Sequence, residues 1–283
     1  MTRPGVVRLG AVGYLNARPH VFGLDRSPRF SLRYDIPSEC ARLLHAGDID
    51  LGLIPSIEYL QNDAYRSVAD VAVVSRGPVV SVAIFTTRPM RDVRSIAMDS
   101  SSRTSVALVR VLCARLFRIQ PTIESHDPDL SGMLNRADAA LVIGDNALIW
   151  TGQPPLGRAR SGPEPVERPE KTEKIDKIDL GEAWTAMTGL PFVWAFWVGR
   201  AGAVTADDVG ALSEARDEGV RQLDLVAREH FRDRPEYQEL GVRYLRENIK
   251  YYLRDEERAG LELFYRYAAE VGAAPVAREL RFY

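Results

Sequence analysis

The chain has 283 residues, of which 46% are hydrophobic and 27% charged, and its formal net charge is −2. This length fits roughly two domains, each able to bury a core of its own. The balanced charge leaves no basic footprint for nucleic acid, no apolar run is long enough to span a bilayer, and the two cysteines and four histidines show no metal-ligand spacing.

The first residues carry no charged stretch followed by a long apolar run, so the expectation is a cytoplasmic protein with no membrane partner. Cys40 and Cys113 fall in helical patterns and are expected to act as small core residues. Lysine occurs only at 171, 174, 177 and 250. Three of these lie in or beside a proline-bearing segment at about 151–176, which reads as a flexible surface insertion without a core.

In chain order, residues 6–12 (VVRLGAV) form a β-rich run that ends in GYLNARP at 13–19. Gly13 permits a close turn, and Pro19 suits a first helical turn. Asn16 thus stands at the carboxyl end of the first strand, the edge where open α/β sheets bind ligands. It can equally stabilise the turn through its own backbone. Residues 30–36 alternate like a strand, and Ser38 caps a helix that runs to Ala46 and stops at Gly47. Residues 50–54 form a third strand, closed by Pro55 and Ser56, with a helix starting at Ile57. Residues 68–74 and 79–87 are two more strands, and Ser81 is a polar residue within the second. Such a residue either completes a hydrogen bond or faces a pocket.

Residues 96–117 read as a short strand, a hydroxyl-rich turn and an amphipathic helix. A helix start has free N–H groups and the positive end of the macrodipole, so it favours anions. Arg103 adds a fork suited to a carboxylate. The plain alternative is that Ser102 or Thr104 is an N-cap and Arg103 a surface charge. No GxxxxGK[ST] occurs, which excludes a nucleotide P-loop. A strand at 121–125, a short helix at 127–136 and a buried strand at 139–143 follow, the last ending in Gly144, Asp145 and Asn146. Residues 192–198 (FVWAFWV) are the most apolar strand, and helices at about 205–230, 235–253 and 256–271 complete the chain. Strands and helices alternate, so mostly parallel sheets in two α/β lobes are expected, with strand 79–87 crossing out and 192–198 returning. The expected lobes are residues 1–86 with 196–283, and residues 87–195.

Five segments occur in a fixed order: GYLNARP (13–19), DLGLIPSIEYL (50–60), DSSSRTSVALVRVL (99–112), AALVIGDNAL (139–148) and DLGEAWTAMTGLPFVWAFW (179–197). Together they resemble the chorismate dehydratase family of the futalosine route to menaquinone, over about residues 8–200. A sister family on the same fold makes dihydroxynaphthoate. Its first strand usually ends in a Ser-Pro-Cys-Pro-Asn-Asp-like sequence, where this chain has GYLN.

The resemblance implies a two-lobed, periplasmic-binding-protein-like fold (type II) with a ligand cleft between the lobes. It implies a cofactor-independent hydro-lyase that removes water from chorismate to give 3-[(1-carboxyvinyl)oxy]benzoate, acting as a monomer or homodimer. Ser102, Arg103 and Thr104 are then expected to hold one substrate carboxylate. Ser56 and Ser81 would serve the other carboxylate or the hydroxyl, with Tyr14 and Asn146 at the cleft. Asn16 can orient the substrate or its leaving hydroxyl but cannot be a base. For the base two candidates stand level, Asp145 and the substrate's own enolpyruvyl carboxylate. Glu58 and His20 lie near the motifs without a specific case. A non-catalytic binder or sensor of a small cyclic carboxylate is the reading from another class, because the architecture is mainly a binding fold.

Overall fold

The computed structural model describes residues 5–150 and 174–283. The insertion expected at 151–176 falls almost wholly outside them. Two five-stranded mixed sheets carry the helices. The first half of the chain runs β1 (Val7–Val12), β2 (Phe30–Asp35), α1 (Pro37–Ala46), β3 (Leu51–Pro55) and β4 (Tyr65–Ser75). Next come β5 (Val82–Thr86), β6 (Ser95–Asp99), α2 (Arg103–Leu112), β7 (Thr122–His126), α3 (Leu130–Leu134), β8 (Ala139–Ile143) and α4 (Gly144–Leu148). After the insertion the chain forms β9 (Asp176–Asp179), α5 (Leu180–Thr188) and β10 (Phe192–Arg200). Helices α6 (Ala206–Arg221), α7 (Leu223–His230), α8 (Gln238–Glu247) and α9 (Asp255–Glu270) follow.

The strand orders are β2-β1-β3-β10-β4 and β7-β6-β8-β5-β9. Each sheet has a parallel trio built by successive strand-to-strand crossovers, as the alternating pattern predicts. Each also takes in a strand that runs against the trio. β10 is antiparallel to β3 and β4, and β5 is antiparallel to β8 and β9. The sheets are therefore mixed rather than mostly parallel, because these two strands enter from the opposite lobe. β10 lies between two partners with Phe192, Phe196, Trp197 and Val198 fully buried. That position requires an apolar strand on both faces, which is why residues 192–198 carry so little polarity.

The expected lobe boundaries move. Val82–Thr86 pairs only within the second sheet, and a break at 195/196 would cut through β10. The chain crosses between lobes at 76–81 and again at 189–191. Apolar sequence marks a strand as buried but does not say which sheet it joins.

Local signals set the element ends. α1 begins at Pro37 and stops at Gly47, which takes a left-handed φ of 81°. Asp179 caps α5, and Thr205 with Asp208 forms a capping box on α6. The 57–60 stretch is shorter than a helix proper, a 3-10 segment over Ser56–Gln61. The run expected at 205–230 divides into α6 and α7. Cys40 and Cys113 are buried free thiols.

Candidate active site

The carboxyl ends of β1, β3, β6 and β8 converge between the lobes. They enclose a cavity of about 50 Å³. Its apolar wall includes Val12, Leu53, Pro55, Val73, Ile143 and Trp194. Its polar lining comes from Tyr14, Asn16, Ser102 and Ser105. Pockets that enclose a small organic ligand start at roughly 300 Å³. A ring with two carboxylates thus enters only when the lobes part, and this arrangement is a closed one. A larger groove of about 460 Å³ lies on the surface by Arg18, Arg26, Asp25 and Glu229. It mixes charges of both signs.

The N-terminus of α2 is where the sequence placed an anion cradle. Ser102 is the N-cap, accepting from Ser105 N at 3.4 Å, and the two hydroxyls are 3.0 Å apart. Both line the cavity, so the positive end of the helix faces it. The next two residues face elsewhere. Thr104 is fully buried, and its Oγ1 accepts from Ile57 N of the other lobe at 3.2 Å. Arg103 donates to both oxygens of Glu58, at 3.1 and 3.0 Å. Glu58 is buried and also bonds His45 Nε2 at 2.6 Å. Ser56 donates to Val193 O at 2.8 Å, with Thr104 Oγ1 at 3.4 Å. Arg103, Thr104 and Ser56, the expected carboxylate and hydroxyl partners, thus sit in contacts around the cavity. Their polar atoms engage one another and their neighbours, most of them across the lobe boundary, and none lines the cavity. Strand-end position predicted proximity to the cleft, but side-chain direction decided the partner.

Asp145 is in the first turn of α4, with Oδ1 accepting from Leu15 N at 3.1 Å and Oδ2 bonding His230 Nε2 at 2.7 Å. Both partners belong to the first lobe. Asp145 does not line the cavity, and Asn146 is exposed at the surface. Beside them Gly144 has φ +65°, and a Cβ there would come within 2.8 Å of three Tyr14 ring atoms. Glycine is thus what lets Tyr14 lie flat against the opposite lobe. The Tyr14 hydroxyl stands near Ser101 and Asp99, and burial pushes it above the ordinary phenol range. Asp99 ends β6 almost fully buried, and burial likewise raises its carboxyl. Its Oδ1 accepts from Ser101 N at 3.0 Å. Its Oδ2 has no partner among the described residues.

Ser81 lies just before β5, at the first crossing. Its hydroxyl is 2.7 Å from the hydroxyl of Tyr244 on α8, and both are buried. The preceding residue, Val80, has φ +64°, a left-handed conformation that costs a β-branched residue free energy. Asp179 holds it there, accepting from Val79 N at 3.0 Å and Val80 N at 2.6 Å, while Lys177 Nζ donates to Val80 O at 2.7 Å. Gly181 completes the fit, since a Cβ there would lie 2.7 Å from Gly77 O. The DLG triplet at 179–181 is thereby explained as the clamp of the crossing that presents Ser81.

Reading the sequence missed Ser105, Tyr244, His230 and Lys177. Ser105 carried a usable signal, one helical turn from the Ser102 cap. Tyr244 and His230 sit in C-terminal helices far from any motif, and no local pattern points to them.

Among the described residues no helix is long and apolar enough to cross a membrane. A family model described as menaquinone biosynthesis matches residues 7–270. A chorismate dehydratase from Thermus thermophilus is 31% identical over 265 residues, 87% of this chain and 94% of that one. Solved structures share the fold at lower identity. One from Archaeoglobus fulgidus aligns with a TM-score of 0.70 at 14% identity, covering 94% of this chain and 97% of the other. The alkanesulfonate-binding protein SsuA from Xanthomonas axonopodis pv. citri, bound to MOPS, aligns with a TM-score of 0.64 at 14% identity, covering 97% and 96%.

Proposed function

This chain belongs to the menaquinone biosynthesis family, and from that premise we propose that it is a chorismate dehydratase. The carrying observation is the likeness to the Thermus thermophilus chorismate dehydratase over nearly the whole of both chains. The reaction removes the ring C–H at the carbon bearing the enolpyruvyl ether and the neighbouring C–OH. Water leaves, a 3-substituted benzoate forms, and aromatisation supplies the driving force.

The lining of the cavity suits this substrate once the lobes part to admit it. One carboxylate sits at the N-terminus of α2, on the hydroxyls of Ser102 and Ser105. The apolar wall with Trp194 faces the ring. Asn16, which lines the cavity, meets the hydroxyl that departs. Among the two candidate bases, the substrate's enolpyruvyl carboxylate is the better supported. Asp145 has both oxygens taken by first-lobe donors and stands outside the cavity. Its role is to hold the lobes together over the substrate. Closure excludes water and aligns the breaking bonds. These residues carry out the step as a hydro-lyase with no cofactor, inside the cell.

Incubation with chorismate, followed by ultraviolet absorbance and mass spectrometry, tests the reading. Loss of one water from the substrate supports it. Tight binding with chorismate unchanged points instead to a binding protein and overturns the dehydratase reading.

A further inference from the structure

We infer that Ser75 is a positioning residue: with the β-bulge at Trp194, its hydroxyl fixes the indole as a rigid wall of the cavity that fits a flat six-membered ring better than a puckered one. The identity of that ring rests on the dehydratase reading, and the fixing of the indole rests on geometry.

β10 pairs with β4 as Phe192 with Ser75, Val193 with Val74 and Ala195 with Val73. Trp194 is thus the extra residue of a bulge, with no partner of its own on β4. A bulge breaks the alternation of side chains and re-aims the one it carries, and bulges gather beside active sites. The side chain aimed here lines the cavity. A buried indole has one N–H to give and needs an oxygen to receive it. Trp194 is 7% exposed, and its Nε1 donates to Ser75 Oγ at 3.0 Å. Ser75 is fully buried and does not line the cavity, so it acts through Trp194. Gly181 of α5 leaves room for the hydroxyl, since a Cβ there would lie 2.8 Å from Ser75 Oγ. The Phe192 ring meets the indole at 4.4 Å between centroids and is itself held at 4.8 Å from Phe264 and 5.3 Å from Trp184. A hydrogen bond and a packed aromatic cluster together hold the indole in one orientation.

The two carbons that lose hydrogen and hydroxyl are tetrahedral in the substrate and trigonal in the aromatic product. The ring therefore flattens as the bonds break. A wall of fixed shape cannot match both forms. Two aromatic rings in a set geometry attract beyond the area they bury, and this gain arises only as the ring becomes aromatic. Binding that grows toward the transition state raises kcat rather than lowering KM. Without Ser75 Oγ the buried N–H has no partner, so the indole turns to seek another and the match is lost.

The test uses Ser75→Ala, Trp194→Phe and the two combined, with Ser67→Ala as control. Ser67 is also fully buried on β4, but its hydroxyl has no partner among the described residues and does not line the cavity. Ser75→Ala is expected to lower kcat about fivefold with KM for chorismate changed less than twofold, and to weaken competitive inhibition by the dehydrated product about fivefold. In the Trp194→Phe background, which has no indole N–H to hold, Ser75→Ala should add less than about twofold to either quantity. Ser67→Ala should match wild type. Wild-type kcat and inhibition in Ser75→Ala, its full effect in the Trp194→Phe background, or equal losses in Ser67→Ala overturn the inference. If the wild type does not convert chorismate, the dehydratase reading fails. The affinities of the same proteins for chorismate and for the dehydrated product, titrated by tryptophan fluorescence, then decide the role of Ser75: a preference for the flat ring that narrows in Ser75→Ala supports it, and an unchanged preference overturns it.

Discussion

The rim where the lobes meet and the interior they enclose use the same residue types for opposite ends. At the rim, Thr104, Ser56, Arg103 with Glu58, and Asp145 with His230 have their polar atoms bonded to neighbours, chiefly across the boundary. In the interior, Asn16, Ser102 and Ser105 line the cavity. The difference teaches that a hydroxyl at a strand end can close a cleft or act within it. A saturated group stabilises the closed form. A group with capacity left over is the one that can bond a ligand.

This division predicts that interior changes lower kcat and rim changes raise KM. The largest effect is expected for Asn16→Ala, lowering kcat by about 10²-fold with little change in KM, as for loss of one transition-state donor. Steady-state kinetics with chorismate check this, and a loss confined to KM would break the comparison. Thr104→Val comes next. In the closed form it leaves the buried Ile57 N–H unpaired, at about 1–2 kcal/mol, while in the open form water can reach that group. KM should rise roughly tenfold with kcat nearly intact. Asp145→Asn should be milder. The amide can still accept from Leu15 N but loses the charge opposite His230, so KM rises about threefold. A near-normal kcat in this variant removes Asp145 as the base, whereas a fall of 10²-fold would restore it.

The smallest effect lies outside both regions. His20 is fully buried with neither ring nitrogen bonded among the described residues, and burial lowers its pKa to about 3. In the unfolded chain it takes up a proton below about 6.5, and in the folded chain it does not. Its contribution to stability is therefore whole above that pH and shrinks as the pH falls toward 3. The loss at pH 5 is about 2 kcal/mol. His20→Leu should flatten the fall in Tm between pH 7.5 and pH 5, measured by thermal melts. An identical slope in both proteins would assign the acid sensitivity to other groups.

Much of the fold was legible because its signals are local. The GYLN turn, the Ser102 cap, Gly47 after α1 and the apolar run of β10 each follow from a residue's own dihedral freedom, capping ability or hydrophobicity. Ser102 and Asn16 were legible for the same reason, since strand ends next to helix starts present polar atoms at a predictable edge. The cross-lobe partners of Arg103 and Thr104 were not legible, because the rule that finds such an edge is blind to the opposite lobe. Ser105 was passed over although it lies one turn from the cap.

By itself, the sequence determined the order of strands and helices, their caps and turns, and, through five motifs in series, the family. Tertiary structure alone decided which sheet takes β5 and β10, which hydroxyls line the cavity, and that Tyr244 meets Ser81. The physical reason is range. Propensity, capping and periodicity act over a few residues, while Thr104 with Ile57, Asp145 with His230 and Ser81 with Tyr244 are brought together only when the lobes fold and close. The helix start at 103 was a general anion site in the chain, and in the folded protein its Ser102 and Ser105 line the cavity.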